Sequence, residues 1–167
     1  VRGVALSSDG KRVVSASDDG SLRLWSARAA PADHAPAIVE QKDSVYSLAV
    51  DRDATRIVSG SAGGTLGLWD ARTGEALGGP MEGHEDSIAA VAFDWQGIRI
   101  VSASADRTLR LWDGRSGRPI GAPLSGHHDA VRCAAFDRQG RRIVSGSEDG
   151  SLRLWEASTG QALGEPL

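Results

Sequence analysis

Thr108-Leu109-Arg110-Leu111-Trp112 returns as Ser21-Leu22-Arg23-Leu24-Trp25 and again as Ser151-Leu152-Arg153-Leu154-Trp155. With Trp69 added, the tryptophans at 25, 69, 112 and 155 are spaced by 44, 43 and 43 residues. The flanking sequence keeps step. Ile57-Val58-Ser59-Gly60-Ser61 recurs as Ile100-Val101-Ser102-Ala103-Ser104 and Ile143-Val144-Ser145-Gly146-Ser147, with Val13-Val14-Ser15-Ala16-Ser17 ahead of them. Between Val1–Trp25 and Val131–Trp155, 15 of 25 positions are identical. A fixed period of this length means units that stack or radiate, none able to bury its faces alone.

One period reads directly as strands. From Ser87, the apolar run Ile88–Phe93 is a strand and Asp94-Trp95-Gln96-Gly97 a turn, with Gly97 where positive φ is useful. Arg99–Ser104 is a second strand, Ala105-Asp106-Arg107 a turn, and Thr108–Trp112 a third strand. A fourth, around Pro119–Ala122, carries prolines that place it at an edge. The strands are apolar on both faces, as in a sheet covered on each side, and short connections force antiparallel hairpins. A covered four-stranded meander, repeated, is a propeller blade. The expected fold is therefore an all-β propeller of four blades, approximately 1–39, 40–82, 83–125 and 126–167.

Composition narrows the function classes. Charged residues make up 25% and the net charge is −3 with both signs interspersed, which leaves no footprint for nucleic acid or an anionic membrane. Glycine is abundant (21) and proline scarce (6), and apolar stretches are short, so no spanning helix is expected. The N-terminus has no signal-peptide core and no initiator Met, which reads as an excerpt of a longer chain. Cys133 is the only cysteine, so no disulfide framework or cysteine metal site is expected, and a cytoplasmic setting fits best.

In these residues the chain resembles the WD-repeat family over nearly its whole length. Gly83-His84 and Gly126-His127 look like that family's Gly-His pair, and Trp69-Asp70 and Trp112-Asp113 like its Trp-Asp ending. The resemblance implies a structural tetrad of His84, Ser102, Asp106 and Trp112 in the third blade. In the fourth it implies His127, Ser145, Asp149 and Trp155. The first blade keeps Ser15, Asp19 and Trp25. The second has Gln41 for His and Gly63 for Asp, keeps Ser59 and Trp69, and is expected to be the softest. Repeats this alike, with the Gly-x-Pro-Leu lead-in at Gly121–Leu124 and Gly164–Leu167, resemble those of large bacterial or fungal multidomain proteins. There the propeller is commonly the sensing or docking end of an NTPase or kinase.

Catalytic readings are weak. A Ser-His-Asp trio at Ser102, His84 and Asp106 repeats at Ser145, His127 and Asp149, and active sites are rarely duplicated in neighbouring repeats. His127-His128-Asp129 lacks a recurring third ligand, Gly10-Lys11 lies in a hairpin turn rather than a phosphate loop, and Cys133 reads as a packed small side chain. No catalytic residue, metal or cofactor is expected.

The resemblance places partner contacts near the loop before the innermost strand and on the turn after the second. Those positions are Arg2, Tyr46, Ala89 and Arg132, then Asp18, Ala62, Ala105 and Glu148. They vary where their neighbours repeat, and Tyr and Arg are interface anchors. Trp95, out of phase with the other four, lies in a first turn on the opposite face, where its counterparts are Ser8, Arg52 and Arg138. It reads equally as a contact residue or a cap. The candidate interaction residues are thus Arg2, Asp18, Tyr46, Arg132, Glu148 and Trp95.

The expected function is a non-catalytic protein–protein scaffold, the docking or sensing segment of a larger regulatory protein. A repetitive small-ligand or glycan binder is the alternative, and an enzyme using the central channel comes last. Because this family usually closes with more blades, the four are expected to form an incomplete arc of a larger ring. Its bare faces would be covered by further blades or a second copy.

Overall fold

The computed structural model describes residues 1–26 and 37–167, with side chains omitted for 37–40. The strands are β1 Gly3–Leu6, β2 Arg12–Ala16, β3 Ser21–Ser26, β4 Ala37–Glu40, β5 Val45–Val50, β6 Arg56–Ser61 and β7 Leu66–Asp70. They continue as β8 Ile88–Phe93, β9 Arg99–Ser104, β10 Thr108–Asp113, β11 Pro119–Ser125, β12 Val131–Phe136, β13 Arg142–Ser147 and β14 Leu152–Glu156. The expected strands of the third blade are all present, and no described residue is helical. No described helix is therefore long and apolar enough to cross a membrane.

Each repeat is one antiparallel meander, in the orders β1-β2-β3-β4, β5-β6-β7, β8-β9-β10-β11 and β12-β13-β14. The fourth strand is uneven. In the second blade it shrinks to bridges from Leu66 to Met81 and Trp69 to Ala76, and in the fourth to one from Trp155 to Ala162. In the second blade Gly78-Gly79 stands where the third has Gly121-Ala122, and the extra glycine weakens an edge strand there. The first turns need a left-handed residue, filled by Gly97 at φ 66° and by Ala54 at 55° in the second blade. In the following turn Arg107 takes φ 71° where the other blades have glycine, a conformation costing an L-residue about 1–2 kcal/mol.

The blades pack in chain order through β1, β5, β8 and β12. Each junction is sealed by apolar side chains and by the tryptophan of the later blade. Val101, Leu109 and Leu124 meet Val131, Ile143 and Trp155; Val58, Leu66 and Met81 meet Ile88, Ile100 and Trp112. Full burial of each such side chain contributes about 1.5–3 kcal/mol. These contacts stack the sheets in chain order.

The arc is open. Val4 and Leu6 on the first blade are 64% and 61% exposed, whereas their counterparts Ala134 and Phe136 pack on the third blade. On the fourth blade Val144 and Leu152 lie exposed where Val101 and Leu109 are buried. Cys133 departs from the sequence expectation for this reason: it shares that uncovered face and is exposed.

Candidate functional site

The His, Ser, Asp and Trp side chains of the third and fourth blades form one-directional networks. An indole can only donate. Trp112 Nε1 donates to Ser102 Oγ at 2.8 Å, Ser102 lies 2.7 Å from His84 Nε2, and His84 Nδ1 lies 2.7 Å from Asp106 Oδ2. The sense that satisfies every atom runs N–H to hydroxyl, hydroxyl to Nε2, and Nδ1–H to carboxylate. In the fourth blade the same steps measure 2.8, 2.8 and 3.1 Å through Trp155, Ser145, His127 and Asp149. Ser102 and Trp112 are fully buried. Burial opposes ionisation of Asp106, but hydrogen bonds from His84 and Thr108 outweigh it and hold its carboxyl well below the ordinary range. Asp149 is depressed likewise, chiefly by the Ser151 hydroxyl and the His128 N–H.

These groups carry no accessible nucleophile. Ser102 Oγ is enclosed between indole and imidazole, so no substrate carbonyl can reach it. Among the described residues, no three His, Cys, Asp or Glu side chains are grouped as metal ligands.

The other two blades keep only part of the network. Trp25 Nε1 donates to Ser15 at 2.8 Å and Trp69 Nε1 to Ser59 at 2.9 Å. Asp19 caps its turn through the Ser21 hydroxyl and N–H, which pushes its carboxyl down to about 2. In the second blade the Asp43 carboxylate stands where a side chain at Gly63 would begin, and Gln41 Oε1 is buried without a partner. Gly67 replaces the arginine of the other three blades, and a cavity of about 540 Å³ opens beside Trp69.

The candidate contact residues on the other positions sit at a recurring irregularity. The innermost strands bulge between Val45 and Ser47, Ile88 and Ala90, and Val131 and Cys133. The extra residue in each case is Tyr46, Ala89 or Arg132. A bulge re-aims the inserted side chain out of the pleat. Backbone bonds from Ala62 N to Ser44 O, Ala105 N to Ser87 O and Glu148 N to Ala130 O dock the next turn beside it. Position and partner therefore face one another: Arg2 pairs with Asp18 at 2.6 Å and Arg132 with Glu148 at 2.8 Å. Arg2 also lies 5.7 Å from the Tyr46 ring centre. Exposed pairs of this kind contribute only about 0–1 kcal/mol to stability. Trp95 is apart from this set, grouped with Arg52 and Arg138.

One recurrent group was not singled out from the sequence. Arg12, Arg56, Arg99 and Arg142 open the second strands, and the first three reach into the next blade. Arg12 Nη1 donates to Ala71 O at 3.1 Å, Arg56 Nη1 to Gly114 O at 2.5 Å and Arg99 Nη1 to Ala157 O at 3.3 Å. Buried Asp51 and Asp94 orient two of them at 3.0 and 3.1 Å. The signal was available, since an Arg follows Asp51, Asp94 and Asp137 at a spacing of five.

A family model described as "WD domain, G-beta repeat" matches residues 1–26, 37–70, 77–113 and 117–156. No curated protein matches the chain.

Proposed function

The chain belongs to the WD-repeat family, and on that premise we propose that it is a protein–protein interaction scaffold, the docking or sensing segment of a larger regulatory protein. Repeats of this kind generally mediate such contacts. The observation that carries the reading is the bulge position. It is the same backbone feature in successive blades, yet it holds Tyr46, Ala89 and Arg132, with Arg2 in the matching place of the first blade. Packing would keep these side chains alike. A surface contacting one asymmetric partner requires them to differ, and here charged pairs flank an aromatic and an apolar stretch.

We read the segment as non-catalytic, because its Ser-His-Asp groupings are duplicated and enclosed. The repetitive-ligand alternative calls for one pocket per blade. The cavity beside Trp69 depends on Gln41, Gly63 and Gly67, whose counterparts in the third and fourth blades are His, Asp and Arg. Under the same proposal the bare faces of the end blades are covered by further blades or a second copy, and the setting is cytoplasmic.

Quantitative affinity capture tests the scaffold. Wild type and a Tyr46→Asp/Arg132→Glu variant are compared as baits in one lysate. Proteins retained by wild type should be lost from the variant while circular dichroism stays unchanged. Identical retained sets would remove these residues from the interface.

A further inference from the structure

The first turns of the four blades converge on the face opposite the bulges, and their equivalent residues Ser8, Arg52, Trp95 and Arg138 touch in sequence. Ser8 Oγ donates to the Arg52 carbonyl. The Arg52 guanidinium lies 4.6 Å from the centre of the Trp95 ring and that of Arg138 lies 5.5 Å from it, one from each neighbouring blade. Trp95 is 48% exposed in spite of this, and the group lines a cavity of about 620 Å³ together with Phe93 and Phe136.

Among the described residues neither Arg52 nor Arg138 has an ion pair or a side-chain hydrogen bond. The carboxylates that line the cavity are committed elsewhere. Asp94 holds Arg99 and the Ile98 N–H, and Asp137 accepts from the Arg141 N–H. The chain as a whole carries a net charge of −3, yet two guanidiniums without ion pairs meet over one ring here. Without an ion pair or a side-chain hydrogen bond each guanidinium keeps its N–H donors available, and the guanidinium fork suits bidentate carboxylate capture. Contact with the ring also removes part of the rotamer entropy that a free arginine would lose on binding.

We infer that Arg52, Trp95 and Arg138 form a docking site for an acidic, extended segment of a protein partner. Two carboxylates at i and i+2 of such a segment stand about 6–7 Å apart at Cα, a spacing that can serve both guanidiniums across one ring. The inference rests on the scaffold reading and adds the chemistry of a partner on its second face. A polyphosphate backbone is the less suitable occupant, since the arginines are confined to one spot and do not track along a strand.

The test is fluorescence anisotropy of a labelled octaglutamate peptide against the full chain, beside labelled octalysine and an eight-nucleotide single-stranded DNA. Octaglutamate should bind in preference to both, and more weakly as salt rises. Arg52→Ala/Arg138→Ala should weaken it at least tenfold with unchanged circular dichroism, and Arg52→Lys/Arg138→Lys should fall between. Absence of octaglutamate binding, equal binding by the alanine double variant, or tighter binding of the DNA would each overturn the inference. Because Tyr46 and Arg132 are untouched in these variants, the outcome is separable from that of the capture experiment.

Discussion

The third and second blades share the register of their first three strands and a tryptophan bonded to a serine, yet they are finished differently. In the third, Trp112 is fully buried and its serine passes the network on through His84 to Asp106. In the second, the indole–hydroxyl bond survives at 2.9 Å and everything beyond it is gone. The surviving half lies within one hairpin, where the pairing of β6 with β7 fixes both residues at once. The lost half joins a loop before the innermost strand to a turn two strands later. It needs two particular residues, and Gln41 and Gly63 supply neither. Local parts of a repeat thus outlast the parts that span it.

The sharpest way to break this comparison is to remove the shared element. Trp112→Ala should cost about 3–5 kcal/mol, because a fully enclosed indole leaves both a cavity and an unpaired Ser102. Trp69 is half-buried and already borders a cavity, so Trp69→Ala should cost roughly half as much. Urea midpoints followed by circular dichroism read both. Equal shifts would mean that the two blades are supported alike.

Much of this was legible in the sequence, and for a definite reason. The period fixes which residues are equivalent, so the strands around Ile88, Arg99 and Thr108 could be placed from pattern alone. The inserted residue at Tyr46, Ala89 and Arg132 was visible only as variation, because a bulge has no composition of its own. The arginines that link each blade to the next were overlooked, since their acceptors are backbone carbonyls about 58 residues away, which carry no side-chain signature. Cys133 misled because its counterparts Gly3, Ser47 and Ala90 are buried or half-buried, and an alignment of repeats does not say which repeat lacks a following blade. The approach of Arg52 and Arg138 to Trp95 joins three neighbouring blades, which no single period contains.

A smaller effect separates the blades by acidity. The carboxyls of Asp106 and Asp149 are depressed in the folded state, so the stability they contribute is fully present above the ordinary carboxylate range near 4. It is lost as pH falls below that range towards their folded values. Amide exchange should therefore show β9, β10, β13 and β14 losing protection between about pH 4 and 2, while β6 and β7, which hold no carboxylate bonded to a histidine and only the turn-capping one of Asp70, change less. Asp106→Asn should flatten the dependence in the third blade alone. A parallel loss in all of these strands would place the acid sensitivity elsewhere.

The finest test rebuilds the missing half. Gly63 has no positive φ, so its backbone accepts an aspartate, and what stands in the way is the end of the short Asp43 side chain on an accessible loop. Gly63→Asp alone should gain nothing, since it adds a carboxylate beside Asp43 with no imidazole to bond. Gln41→His alone removes the orphaned amide oxygen but leaves Nδ1 without its acceptor. Together they should recreate the path from Trp69 through Ser59 to an aspartate and stabilise by about 1 kcal/mol beyond the sum of the single changes. Gly67 stays glycine throughout, because a Cβ there would collide with the Trp69 ring and the Gln41 amide in the present packing. A double-mutant cycle in urea measures the coupling. Zero coupling would show that the tetrad requires the buried arginine stem of the third and fourth blades as well as its four named members, and the contrast drawn between the blades would then belong to Gly67.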